Sequence, residues 1–118
     1  MTDEPVETFF SAWGMADPDT RRAAIAAAFA PGARYADPMT EAPLEGAEAV
    51  AAYVDKFTEM APGATAEVVD RQDRHGTTRA TVAFRMADGM VQHGQYFVEY
   101  DGERIARMVG FVGTGAPA

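Results

Sequence analysis

Asp37 is the residue whose setting could do chemistry. It stands in Ala33-Arg34-Tyr35-Ala36-Asp37-Pro38-Met39, where a short, half-apolar run of strand character gives way to a loop. A carboxylate at the mouth of such a strand is either a general base in a pocket or a solvated turn residue opening an X-Pro step. In a pocket, burial would raise its pKa toward the working range. Tyr35, two residues earlier, shares its strand face and could lend a phenolic donor. His93, Gln95 and Phe97 share one face of a later strand in the same way. If that face lines a pocket, the imidazole and the amide converge on a ligand; otherwise they satisfy buried backbone or each other. Trp13, Phe57, Phe84, Met86 and Met108 could line a cavity or be plain core. Seven methionines suit an adaptable pocket without establishing one.

Other chemistries are excluded by what the chain lacks. It has no cysteine, so thiolate metal sites, disulfides and cysteine nucleophiles are absent. The two histidines, His75 and His93, form no helical pair, and no metal site is expected. Ser11 is the sole serine and sits in a helical pattern, outside any nucleophile elbow. The glycines fall in turns, not in a phosphate-binding loop. No cofactor is expected.

The elements that must position these groups are readable from periodicity. Val6, Phe9, Phe10 and Trp13 mark one helix face, with Asp3 as a cap and Pro5 in the first turn. Asp17-Pro18 starts a second helix, alanine-rich through Ala30, which Pro31-Gly32 should end. After the Tyr35–Asp37 strand and a loop, a third helix runs from about Ala47 to Met60. Its apolar face is Val50, Tyr53, Val54, Phe57 and Met60. The period then becomes two. Ala66–Asp73, Thr78–Met86, Val91–Tyr100 and Arg104–Val112 read as strands, joined at His75-Gly76, Asp88-Gly89 and Asp101-Gly102. Helices gathered ahead of a meander indicate an α+β fold with the helices on one sheet face.

The chain has 118 residues, which suits one domain over 1–118. With 18 acidic against 10 basic residues its net charge is -8, which argues against nucleic acid and anionic membranes as partners. The acidic start lacks a basic, apolar leader, and a cytoplasmic setting fits. Val91–Tyr100 and Arg104–Val112 carry large apolar residues on both faces. A sheet covered by helices on one side should be wetter on the other, so a homodimer through the outer sheet face is expected.

The ordered series Phe9-Phe10-Ser11-Ala12-Trp13, Phe29 to Pro38, Leu44-Glu45-Gly46 with Ala49-Val50, and Gly94-Gln95-Tyr96-Phe97 before Asp101 to Ile105 resembles the nuclear transport factor 2-like superfamily. Within it the chain is most similar to SnoaL-like polyketide cyclases and ketosteroid isomerase. The resemblance implies a cystatin-like cone, with three N-terminal helices packed on a strongly curved, mainly antiparallel sheet. It also implies an apolar pocket at the open end that takes a small apolar molecule. By position, Asp37 matches the isomerase's general base, which is also followed by proline. The isomerase's two oxyanion donors, a Tyr and a protonated Asp, fall on Phe10 and Gln95. Phenylalanine cannot donate, whereas a glutamine amide can.

Two functions follow. One is a cofactor-free isomerase or cyclase in which Asp37 moves a proton and Gln95, His93 or Tyr35 polarises a carbonyl. The other is a non-catalytic binding or dimerisation module of the same fold. Asp37 on a pocket strand favours the first, and the missing Phe10 hydroxyl favours the second.

Overall fold

The computed structural model describes residues 4–114. Three helices, α1 (Pro5–Ala12), α2 (Pro18–Ala28) and α3 (Ala47–Met60), pack on one face of a sheet. Its strands are β1 (Phe29–Ala36), β2 (Leu44–Glu45), β3 (Thr65–Arg74), β4 (Thr77–Arg85), β5 (Val91–Asp101) and β6 (Arg104–Val112). They lie in the order β2-β1-β6-β5-β4-β3, and the sheet is open. Every pairing is antiparallel except that of β1 with β6, which is parallel. This is the α+β, cystatin-like architecture the sequence implies.

Helix starts follow from their caps. The expected cap Asp3 lies outside the described residues. Glu4 does the work instead: its Oε2 accepts the Glu7 N–H at 2.9 Å, with Pro5 in the first turn. Asp17 caps α2 by accepting the Thr20 N–H at 2.9 Å. The end of α2 corrects the expectation. Phe29 is already extended, and Pro31-Gly32 lies inside β1. There the register against β6 shifts between Phe29 and Arg34. Pairing with β6 and burial of Phe29 and Ala30 override the helical preference of the alanine run.

Two contacts place the helices over β1. Gly46, at φ 87°, turns the chain into α3, and its N–H donates to the Ala33 carbonyl at 2.8 Å. The first turn of α3 is thereby tied to the strand that leads to Asp37. Arg21, 4% exposed, donates to the Met15 carbonyl from Nε and Nη2 and pairs with Asp55 of α3. The core between helices and sheet contains Val6, Phe9, Phe10, Ile25, Tyr35, Val54, Val82, Tyr96, Val98, Ile105 and Met108. No helix among the described residues is long and apolar enough to cross a membrane.

Candidate active site

Asp37 is the first residue beyond β1 and is half-buried. Its carboxylate is held from three sides. Met39 N–H donates to Oδ1 at 2.8 Å, closing an Asx turn over Pro38. The Tyr35 hydroxyl donates to Oδ2 at 2.6 Å. The Tyr53 hydroxyl lies 2.8 Å from Oδ1 and 2.7 Å from Oδ2, straddling both oxygens. Asp37 therefore opens the X-Pro turn and also faces a cavity.

The elements explain the convergence. Tyr35 faces inward from β1, opposite Met108 of β6, and is fully buried. Tyr53 stands about two turns into α3, on the helix face turned to β1. The Tyr35 and Tyr53 rings lie 5.8 Å apart, and Tyr96 of β5 stacks on Tyr35 at 6.4 Å. Burial pushes all three phenols up from their ordinary range, and the Asp37 charge pushes them further. They are neutral donors at any physiological pH.

Tyr96 fits because its neighbours are glycines. It pairs with Gly110 across the sheet. A Cβ at Gly110 would stand 2.8 Å from Tyr96 Cζ and 2.9 Å from its Cδ2. The ring lies flat across β6 in the space a side chain would fill.

The carboxylate lines a cavity of about 580 Å³ at the open end of the sheet. Its walls are largely aromatic: Trp13, Tyr53, Phe57, Phe84 and Tyr96, with Met39 and Met86 toward the mouth. The rings form a connected array. Trp13 lies 6.1 Å from Tyr53, 4.8 Å from Phe57 and 5.5 Å from Phe84, and Phe84 lies 6.2 Å from Tyr96. The Trp13 indole N–H is buried without a hydrogen-bond partner among the described residues. Among the described residues, Asp37 is the only carboxylate in the lining, and no lysine or arginine joins it. Among the described residues, no ion pair involves Asp37.

The structure thus brings Trp13, Phe57, Phe84, Met86 and His93 to the cavity with Asp37, His93 as an exposed residue at its mouth. It separates four others from it. Gln95 and Phe97 point to the outer sheet face, where they oppose Phe111 and Val109 of β6. The inward set of β5 is Gly94, Tyr96 and Val98. Gln95 therefore cannot polarise a ligand in this cavity, and Phe97 does not line it. Met108 is fully buried core beneath β1. Tyr35 is sealed behind Asp37, so it can hold the carboxylate but not touch a ligand. Phe10, at the position of the isomerase's tyrosine, is buried among Phe9, Trp13 and Tyr96.

Among the lining residues that sequence reasoning missed as site residues are Tyr53, Tyr96 and Gln92, with Met39, Phe111 and Val112 nearer the mouth. One signal was present. Glu99 belongs to the same strand face as His93, Gln95 and Phe97, and an uncovered carboxylate marks the outward side. Tyr53 was visible only as an apolar helix position.

Comparison with known proteins agrees with this fold. Among curated proteins none matches significantly. A SnoaL-like family protein from Agrobacterium tumefaciens, described as a candidate isomerase, is 26% identical, with a TM-score of 0.83 over 93% of this chain and 95% of that one. A protein of ketosteroid isomerase-like fold from Catenulispora acidiphila, solved in complex with trimethylamine, is 15% identical, with a TM-score of 0.75 over 93% and 85% of the two chains. A cystatin-fold protein from Novosphingobium aromaticivorans is 17% identical, with a TM-score of 0.69 over 91% and 94%. At the two lower identities the likeness is one of fold alone. The family model of the SnoaL-like domain matches residues 6–108, nearly the whole described chain, and the protein belongs to the SnoaL-like domain family.

Proposed function

We propose that this protein is a cofactor-free isomerase or cyclase that binds a small, largely apolar carbonyl compound in the aromatic cavity and uses Asp37 as its general base. One observation carries the reading. Among the described residues, the only carboxylate of an apolar cavity is fixed by neutral phenols and paired with no cation, so it can accept a proton without first breaking an ion pair. Asp37 would take a proton from the carbon next to the carbonyl, leaving an enolate. Returning it to another carbon isomerises the substrate; attack of the enolate carbon on a second carbonyl closes a ring.

The oxyanion donor in this reading is Tyr53, in place of the glutamine the sequence suggested. Its hydroxyl lines the cavity, and it is neutral and shared between both carboxylate oxygens. As Asp37 becomes protonated that bond weakens, and the phenol can turn to the oxygen where charge develops.

A second reading has a specific observation behind it. Asp37 already accepts bonds from three residues, which lowers the availability of its lone pairs and suits a module that binds without chemistry. Assays of carbonyl isomerisation and intramolecular aldol closure separate the two. Wild type should turn over a substrate, with Asp37→Asn losing it and Tyr53→Phe reducing it. Turnover that persists in Asp37→Asn rules out the base, and no turnover by wild type supports the binding module.

We also propose that a second copy covers the outer sheet face. Phe97 and Phe111 meet there edge to face at 5.8 Å while remaining 39% and 55% exposed. Ion pairs Arg34–Glu45, Glu67–Arg85 and Glu99–Arg107 frame them. An apolar centre with a charged rim suits a two-fold, self-complementary contact. Light scattering at micromolar concentration should give a dimer that Phe111→Glu dissociates; a monomeric wild type sinks the proposal.

A further inference from the structure

The charge of the cavity narrows its ligand beyond "small and apolar". Asp37 is an anion held only by neutral groups: two phenols and one backbone N–H. No lysine or arginine lines the space, and its other titratable lining groups are the phenols Tyr53 and Tyr96 and the imidazole of His93 at the mouth. A wholly apolar ligand filling the cavity would strip water from the carboxylate and give nothing in return. Six aromatic side chains line the same space, five in its walls and Phe111 part-exposed, and aromatic rings present negative faces. Carboxylate and ring faces both favour a positive charge.

We infer that the cavity recognises a small organic cation, specifically a methylated ammonium group carried by the ligand. Such a group is apolar at its surface, so it suits walls of Trp13, Tyr53, Phe57 and Phe84. Its charge is diffuse, so it is attracted by the ring faces and by Asp37 without needing a hydrogen-bond acceptor. It can therefore sit against the carboxylate while Tyr35, Tyr53 and Met39 keep their bonds. A larger ion such as an arginine side chain would demand acceptors that the apolar walls do not offer. A cationic substituent also eases loss of a proton from a nearby carbon, so this ligand class is compatible with the proposed chemistry. The inference rests on the reading of this cavity as a small-molecule site, and not on whether Asp37 acts as a base.

The test uses the full chain and two probes of nearly equal shape, choline and its uncharged carbon isostere 3,3-dimethyl-1-butanol. Trp13 is the single tryptophan and lies in the cavity wall, so its fluorescence reports occupancy directly. Calorimetry supplies the dissociation constants. Choline should bind at least about tenfold more tightly than the isostere. Asp37→Asn should remove most of that preference. Phe84→Leu, which keeps an apolar wall but removes a ring, should weaken choline more than the isostere and stands in if Asp37→Asn does not fold. Equal or tighter binding of the isostere by wild type, or binding of neither probe, overturns the inference. Choline preference without turnover of any carbonyl substrate leaves the inference standing and removes the base. Turnover without choline preference does the reverse.

Discussion

Replacing Tyr35 by phenylalanine removes one hydroxyl from the centre of the site and leaves the packing otherwise intact. The side chain is fully buried, and its hydroxyl donates to Asp37 Oδ2 at 2.6 Å. A buried hydrogen bond to a charged group contributes roughly 1.5–3 kcal/mol. The ring contacts to Phe9, Tyr53 and Tyr96 should survive the change. With a urea m-value of about 2 kcal/mol/M for a domain this small, the unfolding midpoint should fall by roughly 1 M at constant slope. Tyr53→Phe should cost less, about 1 kcal/mol or below, because water can reach its half-buried bond. The decisive measurement is the same Tyr35→Phe change in an Asp37→Ala background. There the phenol has lost its acceptor and is a buried, unsatisfied group, so removing it should be neutral or stabilising. A Tyr35→Phe cost under about 0.5 kcal/mol in wild type refutes the reasoning, since the bond is then not a charged, buried one. An equal cost in both backgrounds refutes it too, because the phenol's partner would not be Asp37.

The four tyrosines should titrate abnormally. Burial raises Tyr35, Tyr53, Tyr96 and Tyr100 above their ordinary value near 10. A raised folded pKa contributes stability that is complete below the unfolded value and lost as pH climbs through the folded one. Tyrosinate absorbance should therefore stay flat past about pH 10 and then rise in one step with the loss of circular dichroism; a phenol titrating normally in the folded protein contradicts this. Gly110→Ala should cost roughly 1–3 kcal/mol by driving a methyl into the Tyr96 ring, and much less in a Tyr96→Ala background; thermal melts of the four proteins check it. Arg21→Leu should destabilise by roughly 1–3 kcal/mol, because it takes the donors away from the Met15 carbonyl and from one oxygen of the part-exposed Asp55. Arg22→Leu, which removes the exposed partner of the same aspartate, should cost under about 1 kcal/mol, and the reverse order in urea titrations would overturn that assignment.

The sheet hairpins were legible because His75-Gly76, Asp88-Gly89 and Asp101-Gly102 carry local turn chemistry. The third helix was legible for a similar reason, bounded by Gly46 and by Pro62-Gly63. What stayed hidden depended on distant partners. The alanine run reads as helix through Ala30, and only β6 pulls Phe29 and Ala30 into a strand. The parity of β5 was readable, but its sidedness was obscured because both faces carry large apolar groups, with Glu99 alone marking the outward one. That single ambiguity exchanged Gln95 and Phe97 for Tyr96 in the expected site. The aromatic wall from Trp13, Phe57 and Phe84 came through because each belongs to an apolar face with one inward reading, and Asp37 came through because the Asp-Pro step directly after an apolar strand marks its end. The tyrosine clamp did not, since a phenol on an apolar helix face shows its hydroxyl only when the partner is in place.

The parallel pairing of β1 with β6 has a consequence for how the site comes into being. The strand that leads to Asp37 is made well before its partner, because Tyr35 finds its neighbour Met108 on β6, after all the other elements. Until β6 has emerged and docked, β1 has only the two-residue β2 beside it, too short a ladder to hold a strand alone. The carboxylate and its phenols therefore stay unassembled on the ribosome while the helices and β3–β4 hairpin can already form. Closing so long a loop makes that docking slow relative to local hairpins. A nascent chain arrested before Arg104 should show helical structure but no cavity, so ligand binding would report the docking of β6 rather than the earlier collapse.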